Sequence, residues 1–581
     1  MKKSKKKISY IDKPWTKFYD WPCSLEYESG SMYDAVSKIA KEYPDAKAYT
    51  YFDKSCTYED FMKRVNEAAY ALKARGIKEN EIVSICMPNT PQAIILFYAV
   101  NMIGAIAQMI HPLSSEKEIE FYLKDSKSKL ILVVDAAYDN LFKIVKNTYI
   151  KDVVIAYPSY DMSIYKSTLY FLFKHKKRPG RFFKELLYKV FNDISVFSWK
   201  KFLDKGLNYS NNPYVKRDKK DAAVILYSGG TTGTPKGIVL SNLAFNAVGT
   251  QLFNIFHETN KVGETILAIM PVFHGFGLGV CVHTAMINAT NVVLVPQFKP
   301  DDFAQILIKN KPGFVIGVPS LFQSMINNSL LDGADLSFIH NIVCGGDMIS
   351  SSLKKSIDEF LEKHNSNAKV VVGYGLTEAT ASSCVTPRNH YKENSIGIPF
   401  PDTYYKIVKI GTHEEANVLE DGEICISGPA VMMGYLNTPR ETMQVLREHD
   451  DGMLWLHTGD IGCMDKDGFF FFKTRLKRLI VTNGYNVYPS YIEDILDKHE
   501  AVYISLVIGV SDPYRGQKVK AIIVLKDGYM NTPELEESIK NHCKKYIAKY
   551  AIPKEFEYKK ELPKTLIGKV NYREVEKENK K

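Results

Sequence analysis

The sequence predicts an α/β protein: a large N-terminal domain of helix-covered, mostly parallel sheets, and a small mobile α+β domain behind it. Three observations carry that expectation. Short β-branched runs recur along the first 470 residues, bounded by Gly, Pro or Asp and separated by amphipathic stretches at helical spacing. These runs are apolar throughout rather than alternating, as strands covered on both faces are. Near Thr474 the pattern changes to a Gly/Asn turn, a helix, two strands, another helix and a basic tail. The expected boundaries are 1–473 and 474–581.

A chain of 581 residues with 45% hydrophobic and 24% charged side chains has ample material for two cores. Its formal charge of +10 is partly local, with five lysines in the first seven residues, MKKSKKK. Charge runs of this kind are usually solvated, and no RNA- or DNA-binding motif accompanies them, so no nucleic-acid partner is expected. The nine cysteines form no Cys-x-x-Cys pair and no metal spacing, which suits reduced thiols in a cytoplasmic protein. The basic N-terminus runs into SYIDKPWTKFYD without an apolar stretch, unlike a secretory signal.

In chain order, MYDAVSKIAKEYPD and YEDFMKRVNEAAYALKARG read as helices, and IVSICM and LILVVD as strands. Ala93 to Ile110 is the most apolar stretch and approaches the minimum length of a membrane span. Asn101 and Gln108 interrupt it, favouring a buried helix. Residues 157–215 mix aromatic and basic side chains around Pro179-Gly180. They read as a surface helical hairpin, or, over 165–192, as a face that rests on anionic membrane. Strand-like AAVILYS, TILAIMPVF, NVVLVPQF, FVIGVPS, NIVCGGD and KVVVGYG follow. Ligands of such sheets belong at the carboxyl ends of the strands.

The segment YSGGTTGTPKG, Tyr227 to Gly237, has the composition of a loop that touches a polyphosphate with its backbone. Gly229, Gly230 and Gly233 let main-chain N–H groups converge on an anion. Ser228, Thr231, Thr232 and Thr234 add hydroxyl donors, and Lys236 adds a mobile positive charge. A Walker P-loop is excluded, because Lys236 stands between Pro235 and Gly237.

Four further segments complete a resemblance: GYGLTEAT from Gly373, HTGDIG from His457, TRLKRLIVTNGYNVYPSYIED from Thr474 and LPKTLIGKVNYRE from Leu562. With the Gly/Thr loop, and in this order, they resemble the adenylate-forming superfamily, most nearly its medium- and long-chain fatty acyl-CoA synthetases. The resemblance implies that Tyr374 and Gly375 pack on adenine, with Gly345, Gly346 and Asp347 on its other side. Thr377 would reach the α-phosphate, Glu378 would hold Mg²⁺, and Asp460 would hold the ribose. Arg475 would contact ribose or phosphate, Lys477 would be the hinge, and Gly484 would line the channel for the pantetheine arm. Lys569 would be the adenylation lysine, acting with Lys236 and Thr232, and His274 in MPVFHGFG would lie beside the substrate carboxylate. GEICISGPAVMMGY resembles a scaffold motif with no catalytic part. One departure is Thr474, where the family's hinge has glycine.

The activity so implied is ATP-dependent formation of an acyl-adenylate, then a thioester with coenzyme A. An acyl carrier protein acceptor, an aryl acid, or a non-catalytic acyl or nucleotide sensor are the alternatives.

Overall fold

The computed structural model describes residues 9–175, 189–191, 193–228, 235–259, 261–299, 302–482, 485–512, 514–564 and 570–579. Helical starts follow local rules. At Met32–Glu42, Ser31 Oγ accepts the N–H of Asp34, whose carboxylate accepts the N–H of Ser31 in return at 2.8 Å.

Two nine-stranded sheets form the bulk. In the first, Ala222–Ser228, Ile106–Met109, Ile82–Cys86, Leu130–Val134, Asp152–Ala156 and Ile194–Ser198 run parallel. Lys236–Ser241 and Lys189–Phe191 are added antiparallel. In the second, Asn291–Leu294, Thr265–Ala268, Phe314–Gly317, Asn341–Gly345 and Val370–Tyr374 are parallel neighbours. A third, antiparallel sheet pairs Tyr404–Val408, Gly422–Ser427, Leu454–Met464 and Phe470–Arg475.

The apolar stretch beginning at Ala93 is not one long helix. The helix Pro91–Met102 is buried at every residue, Gly104 turns the chain at φ +74°, and the strand Ile106–Met109 follows. Its polar interruptions are satisfied: Asn101 Nδ2 donates to Asn242 Oδ1 at 2.8 Å, and Gln108 Nε2 donates to the Tyr122 carbonyl at 2.9 Å. Among the described residues no helix is long and apolar enough to cross a membrane. All nine cysteines are free thiols.

The hairpin expected within 157–215 is described only in part, because 176–188, which hold its Pro179-Gly180 break and most of its second arm, lie outside the described residues. A helix, Ile164–His175, is present, but Ile194–Ser198 extends the first sheet, parallel to Asp152–Ala156, and Lys189–Phe191 pairs beside it. The strand's Ile194, Val196 and Phe197 are buried, so sheet packing overrides the basic-aromatic character of the surrounding sequence.

The third sheet reaches through Thr474, which is fully buried, to Arg475. A single 3-10 turn, Leu476–Arg478, separates it from a fourth sheet that starts at Ile480–Thr482. That sheet's long pair, Val502–Asp512 and Gly516–Leu525, packs under the helices Pro489–Asp497 and Pro533–Tyr546. Ile492, Leu496, Val507, Ile523, Ile539 and Cys543 give it a core of its own.

Candidate active site

A cavity of about 2400 Å³ runs across the carboxyl ends of the second sheet's strands. The strands Asn341–Gly345 and Val370–Tyr374 are adjacent and parallel, so their ends bring Gly345, Gly346 and Asp347 beside Tyr374, Gly375, Thr377 and Glu378. His274 enters from the turn after Thr265–Ala268, and Lys236 from the start of Lys236–Ser241. Asp460, Arg475 and Lys477 close the far wall. Each of these residues lines the one cavity. Of the remaining candidates, Gly229, Gly230, Thr231, Thr232, Gly233, Thr234, Gly484 and Lys569 lie outside the described residues. Ser228 ends the strand Ala222–Ser228. Lys564 and Val570, on either side of the Lys569 segment, line the same cavity.

The turn from Gly375 to Ser382 is tight. A Cβ on Gly375 would lie 1.9 Å from the Ala381 carbonyl oxygen, so only glycine fits there. Thr380 and Ala381 both hold left-handed backbone, at φ +48° and +78°. Non-glycine residues in that region cost about 1–3 kcal/mol each and cluster where a site demands a particular backbone. Thr380 is anchored by its hydroxyl, which donates to the Ala430 carbonyl at 2.7 Å.

Hydrogen bonds join the walls. Tyr374 Oη donates to Asp460 Oδ2 at 2.7 Å, and Arg475 Nε lies 3.1 Å from Asp460 Oδ1. Asp460 is 2% exposed and is held across two sheets, by a hydrogen bond from a strand end and by an ion pair with the strand that leads into the 3-10 turn. Burial, then the Asp460 carboxylate, pushes the Tyr374 phenol well up. Asp460 is likewise the main cause that holds Arg475 above its ordinary value.

Glu378 is also raised, chiefly by burial, and accepts from Tyr435 Oη at 3.1 Å. A half-buried carboxylate that lines a cavity and carries this desolvation cost suits a hard cation, which takes one carboxylate oxygen and completes its shell with substrate phosphates. Magnesium therefore fits the donor present at Glu378.

Positive charge converges opposite. The Lys477 ammonium is depressed first by burial and then by Lys236, Arg573 and Arg475. Cations brought this close repel one another, and an anionic ligand reverses the sign of the interaction. Lys236 pairs with Glu441 on the helix Pro439–Val445, with its Nζ 4.8 Å from the Tyr435 ring centre.

Sequence reasoning missed Tyr435, Glu441 and Glu423. Tyr435 and Glu423 belong to the segment taken as scaffold, yet both line the cavity. Glu423 Oε2 accepts from His457 Nδ1 at 2.7 Å and Oε1 accepts the Gly459 N–H at 2.9 Å, which fixes the turn before Asp460. The signal was the Gly-Glu…Gly-Tyr spacing itself, whose two polar members point into the site.

Beyond His274 and Phe273 the wall becomes apolar, with Leu252, Phe256, Ile266, Val280, Phe314 and Ile316. A polyanion pocket thus adjoins a hydrocarbon pocket, an arrangement suited to an acid with an apolar tail and a phosphate-bearing co-substrate.

Comparison with known proteins agrees with this geometry. Residues 36–436 match the sequence model of the AMP-binding enzyme family, and residues 491–569 match that of the AMP-binding enzyme C-terminal domain. A long-chain-fatty-acid–CoA ligase of Bacillus subtilis is 33% identical over 564 residues, covering 96% of each chain. A long-chain-fatty-acid–CoA ligase of Haemophilus influenzae is 31% identical over 569 residues, covering 95% of each. Among solved structures, the anthranilate CoA ligase AuaEII in complex with anthranoyl-AMP superposes with a TM-score of 0.80 at 20% identity, covering 96% of this chain and 98% of that one.

Proposed function

The chain belongs to the AMP-binding enzyme family, and we propose that it is an AMP-forming acid–thiol ligase acting on a medium- or long-chain fatty acid. In the first step the fatty carboxylate attacks the α-phosphorus of ATP, forming the acyl-adenylate and releasing pyrophosphate. In the second, the thiol of coenzyme A attacks the acyl carbon and AMP leaves. The observation that carries this reading is the single cavity in which Lys236, Arg475, Lys477 and Arg573 face an apolar branch at Leu252, Phe256 and Ile316.

Asp460 has the acceptor capacity to hold a ribose diol, already oriented by Tyr374 and Arg475. Tyr374 and the Gly345–Asp347 turn flank the place for adenine. Lys236 and Lys569 neutralise charge that grows as pyrophosphate departs. Glu378 would hold magnesium, which supplies Lewis-acid neutralisation of the phosphate oxygens. His274, half-buried where the polar and apolar walls meet, marks the place of the substrate carboxylate. The small domain, which begins with the 3-10 turn after Arg475, turns about Lys477 between the two steps. Lys477 suits a hinge because it sits in the one 3-10 turn between the third and fourth sheets. The rotation brings Gly484 toward the adenylate.

The helix Ile164–His175 supports peripheral membrane contact: Ile164 is 87% and Tyr165 73% exposed. Exposed large apolar side chains beside a basic run suit an anionic lipid surface. Deleting 165–192 should weaken binding to vesicles that contain phosphatidylglycerol, and unchanged binding refutes the contact.

The test of the function is pyrophosphate release from ATP and Mg²⁺ across acetate, octanoate, palmitate and benzoate, with and without coenzyme A, with products identified by mass spectrometry. Octanoyl- or palmitoyl-CoA is the expected product. Benzoyl-CoA, or an acyl-adenylate with no thioester, overturns the assigned acid or acceptor, and no release with any acid overturns the enzyme. Lys569→Ala should lower ATP–pyrophosphate exchange about 10²- to 10³-fold.

A further inference from the structure

Beside the phosphate pocket, in a wall to which His457 belongs, three histidines from separate segments meet at the edge of the third sheet. His413 is exposed on the loop after Tyr404–Val408, His449 follows Leu446–Glu448, and His457 lies within Leu454–Met464. One ring nitrogen of each lies within 4.8 Å of the others. His449 and His457 are each 5% exposed, with their Nε2 atoms 2.9 Å apart.

The tautomers follow from the partners. His457 Nδ1–H donates to Glu423 Oε2 at 2.7 Å, so its Nε2 carries a lone pair aimed at His449. His449 must then present an Nε2–H, leaving its Nδ1 as a buried lone pair with no hydrogen-bond partner among the described residues. A carboxylate behind one imidazole, with that ring's other nitrogen pointing at a second histidine, is the outer-shell arrangement that orients metal ligands.

We propose that His413, His449 and His457 form a site for a divalent transition ion of the zinc class, separate from the magnesium position at Glu378. Three imidazoles suit zinc, copper or nickel, whereas magnesium prefers oxygen. On binding, the His449 proton moves from Nε2 to Nδ1, and the ion takes its place between the two Nε2 atoms. Tetrahedral ligation at about 2.0–2.1 Å requires nitrogens about 3.3 Å apart, a small opening from the observed 2.9 Å. His413 supplies the third nitrogen. Its ring is stacked on His449, 4.1 Å away and 7° from parallel, so it must turn for both rings to point at one ion. Its exposure on a loop allows that turn.

Lys406, which faces His449, is neutralised by Asp451 at 2.7 Å, and the Glu423 carboxylate, which also faces Arg447, adds negative charge on the other side. Because Glu423 also accepts the Gly459 N–H, the ion would anchor the turn that carries Asp460.

The experiment uses full-length protein freed of metal with a chelator and titrated with Co²⁺, whose visible absorption reports imidazole ligation, and with Zn²⁺ by calorimetry. Saturable uptake is expected, with His413→Ala at least about tenfold weaker and its magnesium-supported turnover unchanged. His449→Gln should show the same loss, and His413→Ala carries the test if His449→Gln fails to fold. Absence of saturable uptake, equal affinity in His413→Ala, or displacement of Co²⁺ by millimolar Mg²⁺ overturns the site.

Discussion

Replacing Glu441 with glutamine should tighten ATP binding. In the free protein the Lys236 ammonium is held by the Glu441 carboxylate, with side-chain exposures of 30% and 41%. In the proposed ATP site the triphosphate would take the same ammonium, so binding would break the pair. An ion pair this exposed contributes about 0.2–1 kcal/mol, and removing the competitor returns that amount to ATP as a roughly 1.4- to 5-fold lower Kd. Glutamine keeps the size and helix position but not the charge. The assay is calorimetric titration of ATP into wild type and Glu441→Gln at low ionic strength, repeated at about 0.5 M salt, where screening should close the gap. On a Lys236→Ala background the Glu441 substitution should change nothing further, because the two act as one pair. Weaker ATP binding in Glu441→Gln, or an effect that persists without Lys236, refutes the competition and makes Glu441 a group that positions ATP.

Gly375→Ala places a methyl where the Ala381 carbonyl stands, at 1.9 Å, so the turn must shift. Overpacking of this kind costs about 1–3 kcal/mol. Both the thermal midpoint and ATP affinity should fall, and wild-type values in both would disprove the tight turn. Asp497 is pushed up to about 8, first by burial, then by Glu493 and Asp494 against an opposing Ser505 hydrogen bond, and its Oδ1 has no hydrogen-bond partner among the described residues. The unfolded carboxyl titrates near 3.9, so between about pH 4 and pH 8 the folded state holds the extra proton and stability falls as pH rises. Asp497→Asn removes that loss. Its stabilisation should be negligible near pH 4 and grow to about 1–3 kcal/mol at pH 8. A pH-independent difference in thermal midpoint would show that the buried carboxyl is not responsible.

Much of the fold was legible because its sheets are parallel and covered on both faces. Leu130–Val134 and Asn341–Gly345 are buried at every position, and a strand buried on both faces can only be written as an unbroken apolar run. Ile194–Ser198 escaped because it is embedded in aromatic and basic sequence and two of its five positions are polar serines, and its pairing with Asp152–Ala156 comes from tertiary contact. The candidate site was legible where a motif ends a strand, as at Gly345 and Tyr374, since parallel neighbours carry their ends to one edge.

What the motifs could not convey is register between distant antiparallel strands. Cys425 lies opposite His457 and Asp460 opposite Arg475. The first pairing turns Glu423 from a scaffold residue into the support of the Asp460 turn. The second puts a buried carboxylate beside the last strand residue before Lys477. In the proposed reaction a rotation about Lys477 would therefore start one turn from a group in the cavity wall, and a ribose held at Asp460 would share Arg475 with the hinge as a common partner. In the proposed nucleotide site, loss of AMP would change what Asp460 and Arg475 each face, which would couple the contents of the pocket to the setting of the hinge through a single ion pair.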